Sequence, residues 1–130
     1  MPVSVVYLST YPPRRCGIAT FTRDLRAAVG GGRVAALRRP EDDLGYPPEV
    51  GWRVERDTPG DYGRVAAAVG WAGAEVASIQ HEYGIFGGPD GSHVAGFVNR
   101  LDIPAVTTMH TVLPDPSAGQ RKVLAGLVAR

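Results

Sequence analysis

What most limits the folding of this chain is an alternation of two hydrophobic patterns. Nearly continuous apolar runs at residues 3–8, 34–37, 76–79 and 104–109 alternate with stretches whose apolar residues recur at helical spacing. A strand covered on both faces needs an apolar side chain at almost every position, so the runs predict buried parallel strands. Residues 52–54 read as a further short edge strand. Between the runs, Ile18, Phe21, Leu25, Ala28 and Val29 share one helical face, closed by Gly30, Gly31 and Gly32. Tyr62, Val65, Ala66 and Val69 form a second stripe behind Pro59. Val94, Phe97, Val98 and Leu101 form a third, and Val123, Leu124, Leu127 and Val128 a fourth. Residues 40–50, with three prolines and four acidic side chains, read as a loop. Strand and helix in this rhythm predict an α/β fold: a three-layer, Rossmann-like parallel sheet with helices on both faces.

The 130 residues fit one domain, 1–130, with enough chain to bury a core without crosslinks. A net charge of +1 gives no electrostatic footprint for nucleic acid or an anionic membrane. Cys16 is the single cysteine, so no internal disulfide can form, which suits a reducing compartment. The run after Met1 and Pro2 lacks a basic leader or cleavage-like segment and reads as a strand. The Ala/Val-rich stretch 65–74 falls far short of the roughly 20 residues that span a bilayer. A soluble, cytoplasmic protein is expected. The last apolar stripe is still running at Arg130, so the sheet is expected to continue into further chain.

In open parallel sheets, ligands bind beyond the carboxyl ends of the strands. Three loops fall there. The first, residues 9–18, carries Arg14, Arg15 and Cys16, with Gly17 opening a helix whose free N–H groups attract an anion. A glycine there lets a phosphate approach the backbone, or it is simply a helix-start glycine; it is not the GxGxxG dinucleotide fingerprint. The second, residues 80–92, sets Gln80, His81, Glu82 and Tyr83 before a glycine-rich segment that includes Gly87. Its aromatics either stack on a sugar or fill the loop's own small core. The third ends at His110, expected on the same sheet edge as His81, where an imidazole can bind a substrate hydroxyl and share its proton. The histidines, Glu82 and Asp90 lack metal-ligand spacing. Cys16 beside two arginines has the setting of a lowered thiol pKa, without an identifiable partner base. No GxSxG elbow is present.

Three segments together resemble the N-terminal domain of GT-B fold glycosyltransferases of family 4, the retaining, nucleotide-sugar-dependent group. They are Tyr11-Pro12-Pro13-Arg14-Arg15-Cys16-Gly17-Ile18-Ala19-Thr20-Phe21-Thr22-Arg23-Asp24-Leu25, then Gln80-His81-Glu82-Tyr83-Gly84-Ile85-Phe86-Gly87-Gly88, and Val106-Thr107-Thr108-Met109-His110-Thr111. The resemblance implies that Gly17 approaches the donor diphosphate and the acceptor, although many relatives carry Gly-Gly where this chain has Cys16-Gly17. It implies that His110 is the active-site histidine that contacts the donor sugar, and that His81 and Glu82 are the polar pair of the preceding strand end. The resemblance gives Arg14 and Arg15 no fixed role, though both are candidates to contact a charged acceptor, as Tyr83 and Gly87 are for substrate binding. The implied partners are a nucleotide-sugar donor, a hydroxyl acceptor and a C-terminal donor-binding domain absent from these residues. No cofactor and no metal are implied, and this half alone is expected to be inactive. A GT-B-like sugar-nucleotide epimerase and a stand-alone sugar- or phosphate-binding module share the architecture.

Overall fold

The computed structural model describes residues 3–42 and 45–129. In chain order the elements are β1 (Val5–Ser9), α1 (Gly17–Val29), β2 (Arg33–Arg38), β3 (Val50–Glu55), α2 (Pro59–Trp71), β4 (Val76–His81), α3 (Val94–Arg100), β5 (Ala105–Met109) and α4 (Ala118–Val128). Two single 3-10 turns, Tyr83–Ile85 and Pro89–Gly91, lie between β4 and α3. The five strands form one sheet in the order β3-β2-β1-β4-β5, and every neighbouring pair is parallel. The expected α/β architecture is therefore present. The loop expected at 40–50 is interrupted by residues 43 and 44, which lie outside the described residues, as do Met1, Pro2 and Arg130.

The local signals explain most boundaries. α1 ends where Gly30 turns left-handed, at φ 104°, and its N–H returns to the carbonyls of Arg26 and Ala27. A side chain rarely tolerates that φ, so glycine makes the stop. Pro59 starts α2, and Asp61 in its first turn accepts from the Glu55 N–H at 2.7 Å and from Arg64 at 2.8 Å. α4 begins earlier than its apolar stripe. Ser117 accepts from the Gln120 N–H while the Gln120 side chain accepts from the Ser117 N–H, a reciprocal cap set before Val123.

Side chains along a strand alternate between faces, and the core divides accordingly. Val6 and Leu8 of β1, Ala35 and Leu37 of β2, and Ala77 and Ile79 of β4 meet Tyr62, Val65, Val69, Phe97 and Val98 of α2 and α3. This is the larger core, and each of its Val, Leu, Ile or Phe side chains contributes about 1.5–3 kcal/mol on burial. On the other face Tyr7, Tyr11, Val34 and Ala36 pack with Leu25 of α1. Three helices thus cover one face and α1 the other. Beyond α1 that second face carries polar side chains, and Val106 of the outer strand β5 is 62% exposed.

Candidate functional site

The order of strands reverses between β1 and β4: the chain moves outward from β1 through β2 and β3, then returns to β1's other side. At such a switch point the loops leaving the two strands part to opposite faces and leave a crevice at the carboxyl ends. β1 brings Ser9, Thr10 and the start of α1 to this edge of the sheet, β4 brings Gln80 and His81, and β5 brings His110 immediately beyond Met109.

On the α1 face, Gln80 is wholly buried and spends its whole amide. Its Nε2 donates to Ser78 Oγ at 2.8 Å and to Thr108 Oγ1 at 3.5 Å, while its Oε1 lies 2.8 Å from His110 Nε2. A carbonyl oxygen only accepts, so the imidazole carries its proton on Nε2 and presents a lone pair on Nδ1. That nitrogen is neither hydrogen-bonded nor buried among the described residues. Phe21 of α1 meets the ring edge-on, with centroids 4.8 Å apart, and the His110 N–H donates to the His81 carbonyl at 2.9 Å. Burial holds the His110 pKa below the usual histidine range, against the opposing charge of Glu82. A fixed, neutral imidazole results, able to accept a hydrogen bond or a proton at Nδ1.

The first turn of α1 lies at the same edge of the sheet. Gly17 is exposed, and nothing lies within 4 Å of the place a β-carbon would occupy. It stands four residues before Phe21, hence on the same helix face, one turn nearer the free N–H groups. Cys16 caps the helix in extended conformation, its thiol 3.4 Å from the Thr10 hydroxyl. Burial alone would raise the thiol pKa. The Thr10 hydroxyl, the Ala19 and Ile18 N–H groups and the charge of Arg14 outweigh it and hold the thiol below its ordinary value. Below this turn, Thr22 donates to the Ile18 carbonyl at 2.8 Å, which leaves the buried Ser9 hydroxyl to donate to Thr22 at 2.7 Å. Arg14 turns inward, half-buried, with Nη1 buried and unpartnered among the described residues, whereas Arg15 stands in solvent.

The structure separates residues that the sequence reading grouped. His81 and His110 share the carboxyl edge of the sheet but not a face. His81 is the last residue of β4, wholly buried, stacked on Phe86 at 5.6 Å and met edge-on by Tyr83 at 4.8 Å. Neither of its ring nitrogens has a partner among the described residues. Glu82 accepts the Gly84 N–H at 2.7 Å and so caps the first 3-10 turn. Gly87 is buried, and a β-carbon there would collide with the Arg56 carbonyl oxygen. In this loop Tyr83 and Phe86 pack against the His81 ring. His81, Tyr83 and Gly87 owe their places to packing, Glu82 to the cap. Among the described residues no group of three or more His, Cys, Asp or Glu side chains is placed to hold a metal ion.

His81 also makes stability depend on pH. Burial, the dominant cause, lowers its pKa, so the unfolded chain takes up a proton before the folded one does. Stability is full above the ordinary histidine value of about 6.5 and falls as pH drops below it. Melting curves between pH 7.5 and 5 should therefore show a smaller loss for His81→Phe than for the parent chain (roughly the pH span over which a histidine titrates). Equal slopes would show that the imidazole is not buried neutral.

Gln80, Thr108, Phe21 and Ser78 were not singled out as site residues from the sequence, yet they orient His110. The signal was present: Gln80 and Thr108 are polar residues near the ends of two adjacent strands, and they lie directly opposite each other. No family model matches the chain, and no curated protein and no solved structure matches it.

Proposed function

We propose that this chain is the acceptor-side half of a retaining glycosyltransferase of the GT-B kind, which moves a sugar from a nucleotide-sugar donor to an acceptor hydroxyl. The observation that supports this reading best is the hydrogen-bonded Gln80–His110 pair on adjacent parallel strands, set beside the open first turn of α1 at the switch point of the sheet. In this reading, His110 Nδ1 accepts a hydrogen bond from a sugar hydroxyl, and Gln80 keeps the ring in the tautomer that can do so. The N–H groups after Gly17 face the diphosphate, whose growing negative charge they stabilise as the bond to the sugar breaks. Arg14, with an unpartnered inward nitrogen, adds positive potential beside Cys16. These groups supply the positive charge locally, so the reading calls for no divalent ion. The nucleotide itself would be held by a second domain.

Amide shift mapping tests the proposal. The labelled chain is titrated with UDP-glucose and with GDP-mannose, and nucleotide release is followed in the same samples. Expected are shifts confined to the surroundings of Thr10, Gly17, Phe21, Gln80 and His110, with no release of nucleotide. Turnover by this chain alone, or shifts centred elsewhere, would overturn the assignment.

A further inference from the structure

At the end of the sheet opposite His110, where α2 and α3 finish, an open cavity of about 680 Å³ is lined by Ala67, Trp71, Asn99, Arg100, Asp102 and Ile103. That volume falls within the range of small-molecule sites. Trp71, the last residue of α2, is 93% exposed. An indole left almost wholly in water contributes nothing to the core and presents a large flat apolar face. Gly70 precedes it, with nothing within 4 Å of its β-carbon position, so a lane stays open beside the ring.

The polar lining is equally unspent. Asn99, Arg100 and Asp102 are exposed and have no side-chain hydrogen bond or ion pair among the described residues, although an arginine and an aspartate two positions apart border one cavity. Elsewhere the chain pairs such groups closely: Arg38 with Glu55 at 3.0 Å, Arg39 with Asp42 at 2.8 Å, Arg64 with Asp61 at 2.8 Å. A second cavity, of about 480 Å³, shares Asp102 and Ile103 with the first, so the two adjoin.

We propose that these adjoining cavities bind a neutral oligosaccharide. A sugar ring has an apolar C–H face that stacks on an indole. It also has a rim of hydroxyls that donate to a carboxylate and accept from a guanidinium, while an amide does both. The charges of Arg100 and Asp102 offset each other, which favours neither an anion nor a cation. A purely apolar ligand would leave all three polar groups without partners, at a cost. The site is separate from the crevice at His110 and does not depend on the transferase reading.

The test uses the two indole N–H resonances as reporters, with maltotriose, cellotriose and mannotriose as probes. Trp52 serves as the internal reference, since Arg33 lies over its ring at 4.4 Å. At least one probe should shift the Trp71 signal saturably and leave Trp52 in place. Trp71→Ala should weaken binding of that probe about tenfold or more, followed by calorimetry or amide shifts. Asp102→Asn should weaken it less, and both variants should melt with the parent. No movement of Trp71 with any probe, or unchanged affinity in Trp71→Ala, would overturn the proposal. A Trp71 shift that depends on protein concentration rather than sugar would instead mark contact with a second copy, and would overturn it as well.

Discussion

Replacing Gly87 with alanine is expected to lower the melting temperature by roughly 10 °C. The added methyl would fall against the backbone carbonyl of Arg56, which cannot rotate away, and 2.8 Å from His93 Nδ1. The same glycine donates its N–H to the Tyr62 hydroxyl at 3.1 Å, which in turn donates to the Arg56 carbonyl at 2.8 Å. Any shift that relieves the collision therefore pulls on Tyr62, a wholly buried member of the main core. Overpacking of this kind costs about 3 kcal/mol, and for a domain of this size each kcal/mol moves the midpoint by roughly 4 °C. Circular dichroism melts measure it directly. A midpoint within about 2 °C of the parent would mean that the loop after β4 has room the structure does not show.

Gly17→Ala should do the reverse. Its β-carbon meets nothing, and the residue opens a helix, where alanine is at least as favourable as glycine. The melting temperature should hold or rise slightly. If a diphosphate or acceptor comes against this turn, the methyl would displace it, and a misplacement of about 1 Å costs on the order of 100-fold in transfer. Under the proposed transferase reading, the readout is sugar transfer by a protein that joins this chain to a donor-binding domain, with loss of amide shifts near Gly17 in this chain as the binding counterpart. Full activity in the alanine variant would show that no ligand approaches the helix start, and the transferase reading would lose its phosphate contact. The two glycines make a matched pair, one excluded from substitution by its neighbours and the other, under the proposed function, only by a ligand.

Much of the architecture was legible because a parallel strand buried on both faces writes itself as an unbroken apolar run. β1, β2, β4 and β5 were each found this way. The carboxyl end of β5 was read at Met109, where the strand ends, but that of β4 was not: β4 continues through Gln80 and His81, and polarity there looked like the start of a loop. The start of α4 was also obscured, since Ser117 and Gln120 precede the first buried residue and follow a proline-rich stretch. The candidate site was half legible. That His81 and His110 both end strands could be read from the pattern, but which face each occupies could not. Side-chain direction depends on parity within the paired register, and the register places Gln80 against Thr108 and His81 against Met109. His110 therefore belongs with Gln80, and His81 points the other way, into Phe86 and Tyr83. No single-strand periodicity carries that information.

The same register makes the four residues between α3 and β5 a spacer of fixed length. One residue more or fewer there would slide β5 by a step along β4, and with a repeat of two every β5 side chain would change sides. Met109 or Thr111 would then stand over Gln80, and the imidazole would face the apolar side of the sheet. The chemistry at one end of the strand is thus calibrated by the length of a turn at the other.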